Sequence, residues 1–246
     1  MRVLVTRAEP AASKTAARLA ELGHQPVLLP LSRAERFPGA ARAALEQRHA
    51  AIIVTSAEAI RTLDALGPAN APWHAEPLFA VGEATASAAR ASGFESVFAG
   101  DGDGGALVDL ILEKRDAWST VGSRLLYLAG TPRAALLERR LKQAGITFDT
   151  CGCYRVRAEA PTVEIQRQVL ETEPVDAVLL YSAESARRFL ALALLRQKPE
   201  LLERITLSCI SSSVAEVLPS ALRRNIKIAA RPQEHALLAT LSPATE

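Results

Sequence analysis

Ala177-Val178-Leu179-Leu180-Tyr181-Ser182-Ala183-Glu184-Ser185 begins with successive apolar residues and turns polar at Tyr181-Ser182. Apolar side chains at every position, not every second one, fit a strand covered on both faces. Ser182 suits a helix N-cap, and Ala183–Leu195 reads as the helix it opens. The same pattern occurs earlier, in Ile52-Ile53-Val54-Thr55-Ser56-Ala57-Glu58-Ala59. A second pair follows in the same order, Ala80-Val81-Gly82-Glu83-Ala84-Thr85-Ala86 and Cys209-Ile210-Ser211-Ser212-Ser213-Val214-Ala215. Similar spacing in both halves points to a duplicated architecture.

Working outward, short β-rich runs alternate with Ala- and Leu-rich stretches along the whole chain. Strands are expected at Val3–Thr6, Val27–Leu31, Ala51–Thr55, Leu78–Val81, Ser96–Phe98, Leu125–Ala129, Phe148–Tyr154, Ala177–Tyr181, Thr206–Ile210 and Lys227–Ala229. Helices are expected at Ala11–Leu22, Ala57–Leu66, Thr85–Ser92, Ala134–Gln143, Ala183–Leu195 and Val214–Leu222. Gly23, Gly67, Gly93 and Gly145 stand where helix C-caps belong. Steady alternation predicts an α/β fold with parallel sheets covered by helices on both faces. About ten strands are many for one doubly wound sheet, so two sheets are expected.

The 246 residues suit one large domain or two small ones. With 49% hydrophobic and 23% charged residues, the composition is globular. Lys and Arg number 29 against 27 Asp and Glu, a net charge of +2, and aromatic residues are 4%. Neither a general nucleic-acid binder nor a base-stacking platform fits those values. The start, Met1-Arg2-Val3-Leu4-Val5-Thr6-Arg7, has no signal-peptide core, and the longest apolar run, Phe189 to Leu195, is too short to span a membrane. A cytoplasmic protein is expected. The 3 cysteines form no framework and the 4 histidines are scattered, so no metal is expected.

The residues after the strands carry the functional signal. Thr6-Arg7, Thr55-Ser56, Gly82, Gly130-Thr131, Ser182 and Ser211-Ser212-Ser213 all stand at strand-to-helix junctions. In a parallel sheet these junctions share one edge, where such folds bind ligands. Helix N-termini there present free N–H groups to anions. Facing lobes would set several such corners around one cleft, able to hold a polyanion without a basic patch. Taken singly, each junction reads more simply as plain helix capping, and the six together shift the reading toward a ligand cleft.

Other motifs are weaker. Gly100-Asp101-Gly102-Asp103-Gly104-Gly105 has neither the later EF-hand ligands nor a P-loop Lys, and reads as a loop leading into a helix. No Gly-x-Gly-x-x-Gly follows the first strand, and no Gly-x-Ser-x-Gly elbow is present. Arg133, Arg139, Arg140 and Lys142 make one helix basic, as a solvated face or the rim of an anion site. Tyr154 closes the Phe148–Tyr154 run just before a connector-like Ala158-Glu159-Ala160-Pro161. Its phenol is either a neutral donor toward a ligand or an ordinary packed tyrosine.

In order, Val5-Thr6-Arg7-x-x-Pro10, Gly23-His24-Gln25-Pro26, Val54-Thr55-Ser56-Ala57, Val81-Gly82-x-x-Thr85-Ala86, Leu128-Ala129-Gly130, Tyr154-Arg155 and Tyr181-Ser182-Ala183 resemble the uroporphyrinogen-III synthase family nearly end to end. The resemblance implies two doubly wound, flavodoxin-like α/β lobes joined by a two-stranded antiparallel linker. One lobe would be 1–34 plus 159–246, the inserted lobe 35–158, and the linker strands would lie near 30–35 and 152–158. The implied enzyme is a cofactor-independent hydro-lyase. Its substrate is hydroxymethylbilane, a linear tetrapyrrole with eight carboxylates, which it closes with loss of water and inversion of the fourth ring. Tyr154 matches the tyrosine proposed to assist hydroxyl departure. Thr6, Arg7, Ser56, Ala57, Gly82, Thr85, Gly130, Ser182, Ala183 and Ser213 are the implied substrate contacts. A monomer acting in heme biosynthesis, without nucleic-acid or membrane partners, is the expectation. The family's usual Ile-Gly-x-Thr-Thr-Ala is Ile210-Ser211-Ser212-Ser213-Val214-Ala215 here, so Ser213 keeps one hydroxyl and Val214 loses the other. A non-catalytic, two-lobe anion- or tetrapyrrole-binding protein is the alternative.

Overall fold

The computed structural model describes residues 1–119 and 123–241. Residues 120–122 of the expected inserted lobe and 242–246 of the expected discontinuous lobe lie outside them. In chain order the elements are β1 (Arg2–Val5), α1 (Ala11–Glu21), β2 (Gln25–Leu28), β3 (Ser32–Arg36), α2 (Pro38–Leu45), β4 (Ala51–Val54), α3 (Ala57–Asp64), β5 (Leu78–Ala80), α4 (Glu83–Ala91) and β6 (Val97–Ala99). There follow α5 (Gly104–Glu113), β7 (Leu125–Thr131), α6 (Leu136–Gln143), β8 (Phe148–Ala158), α7 (Val163–Arg167), β9 (Ala177–Leu180), α8 (Ala183–Leu190), α9 (Ala193–Gln197), β10 (Thr206–Cys209), α10 (Ser212–Ala215), β11 (Ile226–Ile228) and α11 (Glu234–Ala239). The chain forms two compact units, Met1–Arg33 with Arg157–Glu246, and Ala34–Val156.

The first unit holds a parallel sheet ordered β11-β10-β9-β1-β2. Counted within the unit this is 5-4-3-1-2, the flavodoxin-like order. The second unit holds β3-β8-β7-β4-β5-β6, whose parallel part counts 5-4-1-2-3, the other common doubly wound order. Each sheet separates two apolar cores. Leu4, Val178 and Leu180 pack on one face of the first sheet, and Val3, Val5, Ala177 and Leu179 on the other. Ile52, Val54, Leu126 and Leu128 pack on one face of the second, and Ala51, Ile53, Leu125 and Tyr127 on the other. Alternating side chains thus explain why apolar residues occupy every position of these strands.

The linker strands are antiparallel. Phe37 N–H donates to the Cys153 carbonyl and Glu159 N–H to the Leu31 carbonyl, so the partner recedes as the chain advances. β8 is longer than the expected Phe148–Tyr154 strand because one continuous run pairs with both β7 and β3. All four expected C-cap glycines have positive φ, as left-handed helix ends require.

Two expected helices are interrupted in the structure. The Ala183–Leu195 run breaks at Leu192, whose ψ is 132°. There the buried Gln166 side chain accepts from Leu194 N–H at 2.9 Å and donates to the Pro161 carbonyl at 2.7 Å. That long-range bond opens α9 as a separate helix. The Val214–Leu222 run contains only the end of α10, because Pro219 cannot continue a helix and sits at ψ 137° before a 3₁₀ turn.

Candidate active site

In a doubly wound sheet, ligands bind beyond the strand carboxyl ends where the winding reverses. In the second unit that point lies between β4 and β7, with Thr55-Ser56 after one strand and Gly130-Thr131 ending the other. Ser56 is the N-cap of α3, its Oγ accepting from Glu58 N–H at 3.2 Å. Ala57 is the first residue of α3.

A bulge brings Tyr154 to this point. β7 and β8 run in register to Ala129 opposite Gly152, then skip a residue so that Gly130 faces Tyr154. Cys153 and Tyr154 consequently pack into the same core although they are consecutive. A bulge of this kind re-aims a side chain, and bulges recur beside active sites. The Tyr154 ring lies directly over Gly130: a Cβ on Gly130 would stand 2.3 Å from Tyr154 Cζ and 2.5 Å from its hydroxyl. Glycine is therefore a steric requirement there, and Gly130 is buried beneath the ring.

Tyr154 is 7% exposed. Burial raises its pKa above the ordinary 10.0, with a hydrogen bond to Ser56 pulling the other way. Ser56 lowers the pKa by donating its proton toward the Tyr154 oxygen, while its Oγ accepts from Glu58 N–H. That arrangement leaves the Tyr154 proton for another acceptor. Behind it, the buried Tyr127 hydroxyl lies 3.1 Å from Thr55 Oγ1. The Glu58 side chain, 12% exposed, is matched by Arg36 at 2.8 Å and by Arg61. Two guanidinium groups on one carboxylate leave this cluster with a net positive charge beside the phenol.

The other expected positions of this unit fall at the end of β5. Gly82 is the N-cap of α4 and Thr85 lies buried in its first turn. The glycine-rich loop runs against them, Gly100 N–H donating to the Ala80 carbonyl at 2.9 Å and Gly102 N–H to the Val81 carbonyl at 2.8 Å. Asp103 caps α5 through Gly105 and Ala106 N–H, which hold its carboxyl below the usual range. The loop thus leads into a helix, as expected. No group of three potential metal ligands occurs among the described residues.

In the first unit the winding reverses between β1 and β9. Thr6 is 2% exposed and its hydroxyl donates to the Leu179 carbonyl at 3.5 Å. Arg7 lies next to Tyr181, its guanidinium carbon 4.0 Å from the ring centre. Ser182 and Ser185 form a reciprocal capping box, so the Ser182 N–H is already bonded to Ser185 Oγ at 3.0 Å. Ala183 opens α8 behind it. Ser213 belongs to the four-residue α10 and pairs with Ser211 at 2.9 Å. Val214 is buried in the core, so its side chain serves packing. Glu58, Tyr127 and Glu234 were not singled out from the sequence. Only Glu58 had a visible signal, its place in the repeated Ser-Ala-Glu.

The family described as Uroporphyrinogen-III synthase HemD matches residues 13–239. The chain belongs to the uroporphyrinogen-III synthase family. No curated protein sequence matches it significantly. Among solved structures, it is similar to uroporphyrinogen-III synthetase from Helicobacter pylori, with TM-score 0.65, 20% identity and 98% of each chain covered. A mutant uroporphyrinogen III synthase from the extremely thermophilic bacterium Thermus thermophilus gives TM-score 0.56 at 19% identity, covering 98% of this chain and 96% of that one. At such identities the likeness carries the fold. Uroporphyrinogen-III synthase membership rests on the match across most of the sequence.

Proposed function

We propose that this chain cyclises hydroxymethylbilane to uroporphyrinogen III, expelling water and inverting the fourth pyrrole ring. Family membership supports the reaction class, a lyase of tetrapyrrole and heme biosynthesis. The observation that carries the mechanism is Tyr154, a buried phenol kept protonated over Gly130 at the reversal point of its sheet.

The electron-rich pyrrole drives departure of the terminal hydroxyl. Tyr154 donates to that oxygen as the carbon–oxygen bond breaks, and the hydroxyl leaves as water. The fourth ring's substituted α-carbon attacks the freed methylene, its bond to the methylene of the third ring breaks, and that methylene rejoins the ring's free α-carbon, whose proton is lost and restores the phenol. A single positioned donor contributes roughly 10²–10⁴-fold. Most of the remaining acceleration comes from holding the chain in one folded pose. The N–H groups at Ser56, Ala57, Gly82 and Ala183 are the carboxylate contacts in this proposal, with Thr85, Ser182 and Ser213 lining the substrate's path and Gly130 seating the Tyr154 ring. Thr6 supports them through the sheet and Arg7 supplies positive charge.

The two compact units serve as the two lobes of the enzyme in this reading. A monomer in the cytoplasm is part of the proposal. No helix among the described residues is long and apolar enough to cross a membrane.

The test is product isomer analysis with hydroxymethylbilane generated in situ. Mostly isomer III supports the proposal. Isomer I alone, at the rate without protein, overturns it in favour of a binding protein.

A further inference from the structure

Glu234 opens α11, and one of its carboxylate oxygens gathers three donors. Thr15 Oγ1 lies at 2.6 Å, the Tyr181 hydroxyl at 2.7 Å and Arg7 Nη1 at 3.0 Å. The second oxygen meets Arg18. Thr15 is fully buried, and the Glu234 side chain is 17% exposed. The donors come from separate parts of the fold: Thr15 from α1, Arg7 from the end of β1 and Tyr181 from the end of β9. Extending the pairing of Val5 with Leu179 by two residues sets Arg7 opposite Tyr181, at the point where this sheet reverses.

We infer that Glu234 is a positioning residue that fixes Arg7 as a clamp for a substrate carboxylate. The inference rests on the function proposed above. Arg7 is held on two sides, its guanidinium over the Tyr181 ring and pinned through Nη1. Among the described residues no bond engages its Nε or Nη2, and the side chain is 32% exposed. A guanidinium so fixed presents its remaining N–H groups in the paired geometry that carboxylates match. Two arginines meet one carboxylate, so the cluster keeps a positive charge for an anionic ligand. A salt bridge serving only to dock α11 would need neither the stack on Tyr181 nor the position at the reversal point.

Glu234→Gln keeps the shape and an acceptor oxygen while removing the charge. The experiment compares wild type, Glu234→Gln, Glu234→Asp, Arg7→Ala and the Arg7→Ala/Glu234→Gln double variant, with melting temperature recorded for each. The expected result for Glu234→Gln is a KM for hydroxymethylbilane raised about tenfold with kcat within about twofold, the mark of lost uniform binding. Glu234→Asp should recover part of that loss. The double variant should be no worse than Arg7→Ala, because Glu234 acts through Arg7. A lowered melting temperature with unchanged KM, or losses that multiply in the double variant, would overturn the inference. If wild type forms no isomer III, the proposed function fails, and binding of uroporphyrin, an octacarboxylate, is measured by fluorescence instead. Weaker binding by Glu234→Gln then supports the clamp, and equal binding overturns it.

Discussion

At the β4/β7 reversal the proposed proton donor is a buried phenol, with Tyr154 over Gly130 and beside Ser56, and the nearby Glu58 paired with Arg36 and Arg61. At the β1/β9 reversal the tyrosine is instead a platform, with the Arg7 guanidinium on the Tyr181 ring and its hydroxyl given to Glu234. Both reversal points therefore hold a tyrosine, Tyr181 directly after β9 and Tyr154 from the neighbouring β8 through its bulge. What differs is the neighbour. A glycine lets the Tyr154 ring settle against backbone and lose water, which keeps its proton on. A carboxylate and an arginine hold the Tyr181 hydroxyl in a charged network. The comparison teaches that two differently wound sheets can each bring a tyrosine to the reversal point, while local packing sets whether its hydroxyl is buried over backbone or tied to charge.

Gly130→Ala should produce the largest change. The new methyl would displace the Tyr154 ring, so the isomer III rate should fall by roughly 10²–10⁴-fold, as for loss of the donor itself. Overpacking should also cost about 1–3 kcal/mol in a denaturant titration. An alanine variant of wild-type rate would break the claim that the ring must lie there.

Tyr181→Phe sharpens the contrast from the other side. It keeps the stacked ring but removes the bond to Glu234 at 2.7 Å. The account predicts a KM raised by about threefold to tenfold with kcat unchanged, since only binding is touched. A kcat loss comparable with that of the Tyr154 site would erase the distinction between the two reversals.

The alkaline limb of the pH profile is the next test. Burial raises both Tyr154 and Tyr127 above 10.0. The donor form of Tyr154 is the protonated one, so kcat should hold to about pH 10 and decline only above it. Stability follows the same sign. The unfolded chain releases these phenol protons near pH 10 while the folded chain keeps them, so the unfolding free energy falls as pH rises past roughly that value. A kcat already lost by about pH 8 would assign the donor role elsewhere.

The smallest effect is expected for Ser56→Ala. The α3 cap bond to Glu58 N–H disappears, at about 1 kcal/mol. The Ser56 hydrogen bond that lowers the Tyr154 pKa also disappears, so the alkaline limb should move upward. A limb that moves downward would contradict the assigned direction of that bond.

The strands were legible because their apolar residues face cores on both sides, as in Ala51–Val54 and Ala177–Leu180. The capping roles of Ser56 and Ser182 were equally local, needing only residues within three positions. The break at Leu192 was hidden because its cause, Gln166, bonds across 28 residues to Leu194. The bulge at Cys153 left no mark either, since a skipped pairing changes register without changing composition. Tyr154 could be picked out by position and resemblance, yet its fit over Gly130 needed coordinates. Glu234 was illegible for the same reason: its bond to Arg7 spans 227 residues.

The most direct test of the proton-donor claim is steady-state kinetics of Tyr154→Phe, read as isomer III formation beside wild type. Phenylalanine keeps the ring over Gly130 and removes only the hydroxyl. The account predicts kcat lower by roughly 10²–10⁴-fold with KM and melting temperature nearly unchanged. A variant that makes isomer III at the wild-type rate would contradict it.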